Sequence, residues 1–180
     1  QTGDDYDASF IFLWISFNAA YAEEILDDVT YGQRVYFEDY FKNLINLDND
    51  NRIYDVVWDQ FPQSIRVFLN NKFVFQPFWK HQNNTEGYDD WEERFEASKR
   101  RFNLALVHED TKVVLSMLFD RLYVLRNQII HGGATWNSSV NRDQVKDGSR
   151  ILRALVPVFV DIMMENPNDN WGSPYYPVVK

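Results

Sequence analysis

The chain has 180 residues with 45% apolar and 17% aromatic content, enough for one domain with a large core and too apolar for a disordered segment. With 7 Gly and 6 Pro it has few of the turn residues an all-β sandwich needs, and with no Cys it can have no disulfide scaffold, thiolate metal site or cysteine nucleophile. Its net charge of -9 disfavours nonspecific nucleic-acid binding, although residues 90–153 carry a balance of +2 against -11 for the rest.

Residues 1–9 are polar and acidic and are expected to fray. From Phe10 to about Leu26 the chain reads as one helix. Phe10, Leu13, Trp14, Phe17, Tyr21 and Ile25 recur at spacings of three and four. Asn18 lies beside that stripe, either as an amide satisfied inside a bundle or as a support for a site elsewhere. No apolar run reaches the roughly 18 residues of a membrane span. The first helix also lacks the flanks of a signal peptide. A cytoplasmic location without membrane contact is the expectation.

A turn at Thr30-Tyr31-Gly32 precedes a second amphipathic helix to Leu47. Asp48-Asn49-Asp50-Asn51 lacks the glycine and terminal glutamate of a calcium loop and reads as a turn and helix cap. A short helix from Ile53 to Phe61 stops at Pro62. Another covers Ser64 to Asn71, and Phe73 to Trp79 is a short apolar piece. This aromatic region is expected to cap the bundle, more as core than as a base-stacking platform. His81 to Gly87 reads as the main internal loop.

A long helix from about Tyr88 to Val107 turns Trp91, Phe95, Phe102 and Leu106 inward. Arg94, Lys99, Arg100 and Arg101 form a cationic girdle around it. Solubility and contact with RNA phosphates are both open for these four. His108-Glu109-Asp110 breaks the pattern, and Thr111 to Ile130 forms the most apolar helix. Asn141 is expected to cap a last helix from Arg142 to Met164, kinked at Pro157. The tail from Trp171 to Pro177 is expected to pack back in extended form. The fold class is therefore all-α, a helical bundle with extra short helices and an extended tail, in one domain spanning residues 1–180.

The apolar helix ends in Arg126-Asn127-Gln128-Ile129-Ile130-His131-Gly132-Gly133. The glycines read as its stop. Asn127 and His131 share a face, being four residues apart, while Arg126 lies about 140° from His131 around an ideal helix. An imidazole exchanges protons near neutral pH, and a guanidinium forks onto phosphate. Together they suit RNA cleavage, with His131 handling a proton and Arg126 stabilising charge on the phosphorane. A structural role, with both groups satisfied at a buried helix end, is the competing reading. Three scattered histidines make no zinc set, and Glu23, Glu24, Asp27 and Asp28 lack the His positions of a di-metal bundle. No metal and no cofactor are expected.

The stretch Leu122 to Gly133 resembles the signature of the HEPN superfamily: an arginine, a polar residue, three further residues and a histidine at a helix end. The first helix, Phe10 to Tyr21, and the stretch from Ala134 to Met164 with Trp136 and Pro157 resemble bacterial HEPN proteins of Apea-like type. The resemblance implies a HEPN-type up-and-down bundle that pairs as a homodimer, with two motifs facing each other across a cleft. It implies a metal-independent endoribonuclease, of the kind found in toxin–antitoxin, phage-defence or RNA-processing systems, with RNA as substrate and an antitoxin or other protein as partner. His131 would transfer the proton, Arg126 would hold the phosphate and Asn127 would position both, with Trp14 and Asn18 in support. Some members of the superfamily are noncatalytic, and a binding or dimerisation module for a nucleotide, an RNA or a partner protein is the alternative.

Overall fold

The computed structural model describes residues 5–21, 32–132, 139 and 141–171, and of residues 32–36 the backbone alone. Among the described residues every regular element is helical: α1 Tyr6–Tyr21, α2 Gly32–Leu47, α3 Arg52–Tyr54, α4 Pro62–Leu69, α5 Gln76–Gln82, α6 Trp91–Val107, α7 Thr111–Ile130 and α8 Arg142–Glu165. A π-helical turn, Asp55–Gln60, continues α3, and a 3-10 turn, Lys72–Val74, precedes α5. The chain is thus all-α. None of these helices is long and apolar enough to cross a membrane.

α7 is the axis of the packing. α2, α4 and α6 lie against it, and α1 pairs chiefly with α8. Its first four turns bury Val114, Leu115, Leu118, Phe119, Leu122 and Leu125 on several sides, as expected of a helix surrounded by others. At the centre, the Phe119 ring lies 4.3 Å from Phe17 and 4.9 Å from Phe41, with Phe159 at 5.9 Å. Each buried ring contributes roughly 1.5–3 kcal/mol relative to exposure. Tyr40 lies at the rim of this cluster, donating its hydroxyl to Met163 Sδ at 3.5 Å, and burial pushes its pKa up.

Gly148 of α8 allows a close helix crossing. A Cβ there would stand 2.9 Å from the Phe10 ring and 3.1 Å from Leu122. At the far end of α8, Glu165 accepts two hydrogen bonds from Arg52, at 2.6 and 3.0 Å. Arg52 also reaches Asp48 at 3.3 Å, and buried Asp48 accepts from the Ile53 amide at 2.7 Å. The Asp48–Asn51 stretch is therefore the expected turn and cap, with Asp48 as the residue that does it.

Several boundaries differ from the sequence reading. α1 begins at Tyr6, not Phe10, because Asp7 is buried and paired with Arg142 at 2.6 Å. The expected end of that helix near Leu26, with Ile25, and the turn residues Thr30 and Tyr31 lie outside the described residues. Pro62 starts α4 instead of a gap, since a first-turn proline has no amide to lose. α5 extends through His81 and Gln82, so the loop falls at residues 83–90, where Asn84 and Gly87 take left-handed backbone. α6 consequently starts at Trp91, not Tyr88.

α7 has the expected limits, and α8 passes through Pro157 without a break. Pro157 and Arg153 are both exposed, so the carbonyl deprived of its donor is on the solvent side. Of the tail, Trp171 packs back on α2, its ring 6.4 Å from Tyr40, and donates to the Asn166 carbonyl at 2.8 Å. The segment after it lies outside the described residues, as do Gly133 and Trp136.

The aromatic region is split. Phe68 belongs to the core, whereas Phe75 and Phe78 pair with α6 through Phe95 at 5.2 Å and Trp91 at 5.0 Å. Arg121 of α7 stacks against this second cluster, 4.2 Å from the Phe75 ring.

Candidate functional site at the end of helix α7

The last turn of α7 changes character abruptly. Leu125 is fully buried; Arg126, Asn127, Gln128 and Ile129 are half-buried; Ile130 and His131 are exposed. His131 caps the helix and Gly132 follows with φ of 83°, the left-handed turn that ends it.

Asn127 is the residue that links the other two. Its side-chain oxygen accepts from Arg126 Nη1 at 2.9 Å, and its backbone carbonyl accepts the His131 amide at 2.9 Å. Arg126 Nε is buried and has no acceptor among the described residues. No described carboxylate lies within ion-pair distance of Arg126. Its side-chain partner among the described residues is a neutral amide. The helix C-terminus carries a partial negative charge, which suits the Arg126 guanidinium at that end.

Gln128 has a different task. Its Nε2 donates to the Phe73 carbonyl at 2.5 Å, and its Oε1 accepts from Asn141 Nδ2 at 2.5 Å. The amide therefore ties the 3-10 turn, the last turn of α7 and the start of α8 together. Asn141 sits at the N-cap position of α8, but its side chain makes no cap bond, because it is committed to Gln128, and its backbone is left-handed with φ of 59°. The expected cap is thus a cross-helix link.

Trp14 and Asn18 are not part of this turn. Trp14 is buried among Phe17, Phe119 and Tyr123, the last at 6.2 Å, so it supports the helix that carries the motif. Asn18 is exposed and follows Phe17, which touches Phe119. Phe119 lies seven residues before Arg126, about 10 Å along the helix axis.

The α6 cations are mostly engaged. Arg94 pairs with Asp90 at 2.8 Å and also donates to the Gly87 carbonyl. Lys99 pairs with Glu96 at 2.7 Å and Arg101 with Glu38 of α2 at 3.2 Å. Arg100 is exposed with no ion pair to a described residue.

Gln128 and the Phe73 carbonyl have no role that the sequence alone shows, and Asn141 is expected there only as the cap of α8. Gln128 stands beside Arg126 and Asn127 in the last turn with nothing local to mark it out, since its partners come from 55 and 13 residues away. No protein-family model, curated protein or solved structure matches the chain.

Proposed function

We propose that this chain is an endoribonuclease of HEPN type, cleaving RNA without a metal through attack of the ribose 2′-OH, and that it acts as a homodimer. The observation that carries the reading is the state of Arg126: a half-buried guanidinium held by Asn127, without a carboxylate among the described residues, one turn from an exposed imidazole. A half-buried cation without a counter-ion is a standing site for an anion.

In the proposed reaction the 2′-oxygen forms a bond to phosphorus and the bond from phosphorus to the 5′-oxygen breaks. An imidazole takes the 2′-OH proton, and a second acid delivers one to the leaving 5′-oxygen. Arg126 stabilises the charge gathered on the phosphorane oxygens. The products are a 2′,3′-cyclic phosphate and a 5′-hydroxyl. One His131 supplies one proton carrier, so the second would come from another copy. Ile130, apolar and 47% exposed beside His131, is a side chain such a partner would cover. A cytoplasmic toxin or defence role, opposed by an antitoxin or other protein, fits this chemistry.

The expected result is that purified protein cleaves single-stranded RNA in the presence of a chelator. Arg126→Ala and His131→Ala should each lower the rate by at least about 100-fold with helicity unchanged. Absence of cleavage by the wild-type protein, with or without metal, refutes the nuclease reading. The second reading, a noncatalytic HEPN binding or dimerisation module, is favoured by the pairing of Arg94, Lys99 and Arg101 with carboxylates. Under it, the same substitutions change ligand binding or oligomeric state alone.

A further inference from the structure

Phe73 stands out among the aromatic side chains around α5. Its neighbours Val74, Phe75 and Phe78 are buried, whereas Phe73 is 44% exposed. The ring is braced by Phe78, perpendicular at 5.5 Å. Lys72 places Nζ 5.4 Å from the Phe73 ring centre and 5.6 and 5.9 Å from those of Phe78 and Trp91. A partly exposed aromatic ring with a cation over it is a combination that can receive an unstacked base and the phosphate next to it.

The turn is fixed relative to the end of α7. The Phe73 carbonyl accepts from Trp79 Nε1 at 2.7 Å and from Gln128 Nε2 at 2.5 Å. Gln128 lies two residues after Arg126 and three before His131, so Phe73 is anchored one helical turn, about 5 Å along the axis, from the imidazole. Two hydrogen bonds onto one carbonyl hold a surface turn far more firmly than solubility requires.

We infer that the Lys72–Phe73 turn is a nucleobase-stacking subsite for single-stranded RNA, held in register with Arg126 and His131 by the Gln128 amide. It deepens the proposed function by giving the RNA a place to bind, and rests on reading the α7 end as an RNA site. Base stacking tolerates any sequence, because every base has a π-face, so the subsite positions the strand and leaves sequence unread. It also supplies affinity that the net charge of -9 withholds.

The test uses a 2′-O-methyl oligonucleotide of about eight nucleotides, which binds but offers no 2′-OH for attack. Affinity is measured for the wild-type protein, Phe73→Ala and Phe73→Trp, beside cleavage of an unmodified RNA. The expected result is a loss of about 5- to 150-fold for Phe73→Ala, with Phe73→Trp binding at least as tightly as wild type. Equal affinity of Phe73→Ala and wild type overturns the subsite, and cleavage of the unmodified RNA then leaves the nuclease reading standing. Loss of binding in Phe73→Ala without cleavage by any variant keeps the subsite and removes the nuclease. A wild-type protein that binds no oligonucleotide overturns the subsite, and its cleavage assay reports separately on the nuclease. If Phe73→Ala loses helicity, Phe73→Trp decides: a fall in its affinity overturns the proposal.

Discussion

The two halves of α7 are built on opposite principles. From Val114 to Leu125 the helix is mostly apolar, with Ser116, Asp120 and Arg121 as its polar members, and Phe119 is ringed by aromatics from α1, α2 and α8. From Arg126 to His131 the same helix carries a cation, two amides and an imidazole, and one buried nitrogen has no partner among the described residues. The first half makes the fold. The second is stabilised by little of its own and is held in place by links to its surroundings. Substitutions in the two halves should therefore separate stability from activity.

The largest effect should come from the core half. Phe119→Ala removes a fully buried ring and should cost about 3–5 kcal/mol, lowering the melting temperature by roughly 6–20 °C. Gly148→Ala should come next, at about 1–2 kcal/mol. The new methyl meets the buried Phe10 ring, which has no room to yield, and the gain in helix propensity offsets only part of that strain. Thermal unfolding followed by circular dichroism measures both, and a neutral Gly148→Ala would show that the α1–α8 crossing is looser than described.

Gln128→Ala probes the border between the halves. It removes one of the two donors to the Phe73 carbonyl and leaves the Asn141 amide without its acceptor, and should cost about 1–2 kcal/mol. If the amide only stabilises, cleavage is unchanged; if it keeps the 3-10 turn in register, cleavage falls more than the loss of folded protein explains.

The smallest effect lies far from the site, in the Arg52–Glu165 pair. The Arg52 hydrogen bond holds the Glu165 carboxyl below its ordinary value, so the pair stabilises above the unfolded carboxylate pKa and loses its effect as pH falls through the folded one. Glu165→Gln should slightly lower the melting temperature at pH 7, and the difference should vanish in acid. A difference that grows in acid would contradict the assigned sign.

How much of this was legible in the sequence follows from where each determinant lies. The stripe of Phe10, Trp14 and Phe17, the limits of α7 and the break at His108 to Asp110 come from local periodicity and caps, which a single chain displays. Asp110 illustrates the point, accepting the Val113 amide at 3.0 Å as an N-cap three residues away. The early start of α1 was hidden, because Asp7 reads as a solvated acid until Arg142, 135 residues on, is beside it. Asn141 was misread for the same reason: its cap position is local, but the bond that claims its side chain comes from another helix. The Arg126–Asn127–His131 set is singled out by its resemblance to the HEPN signature, whereas spacing alone leaves a structural role open. That no described carboxylate pairs with Arg126 could not be read there, since every acid in the chain was a candidate until the packing was known.

The most direct measurement sets Arg126→Ala beside Phe119→Ala, following RNA cleavage and thermal unfolding on the same preparations. Arg126→Ala should melt within a few degrees of wild type, having shed a buried nitrogen with no partner among the described residues, and should lose cleavage by at least about 100-fold. A variant that cleaves like wild type, or melts as low as Phe119→Ala, would show that the end of α7 is one more piece of the core and not a site.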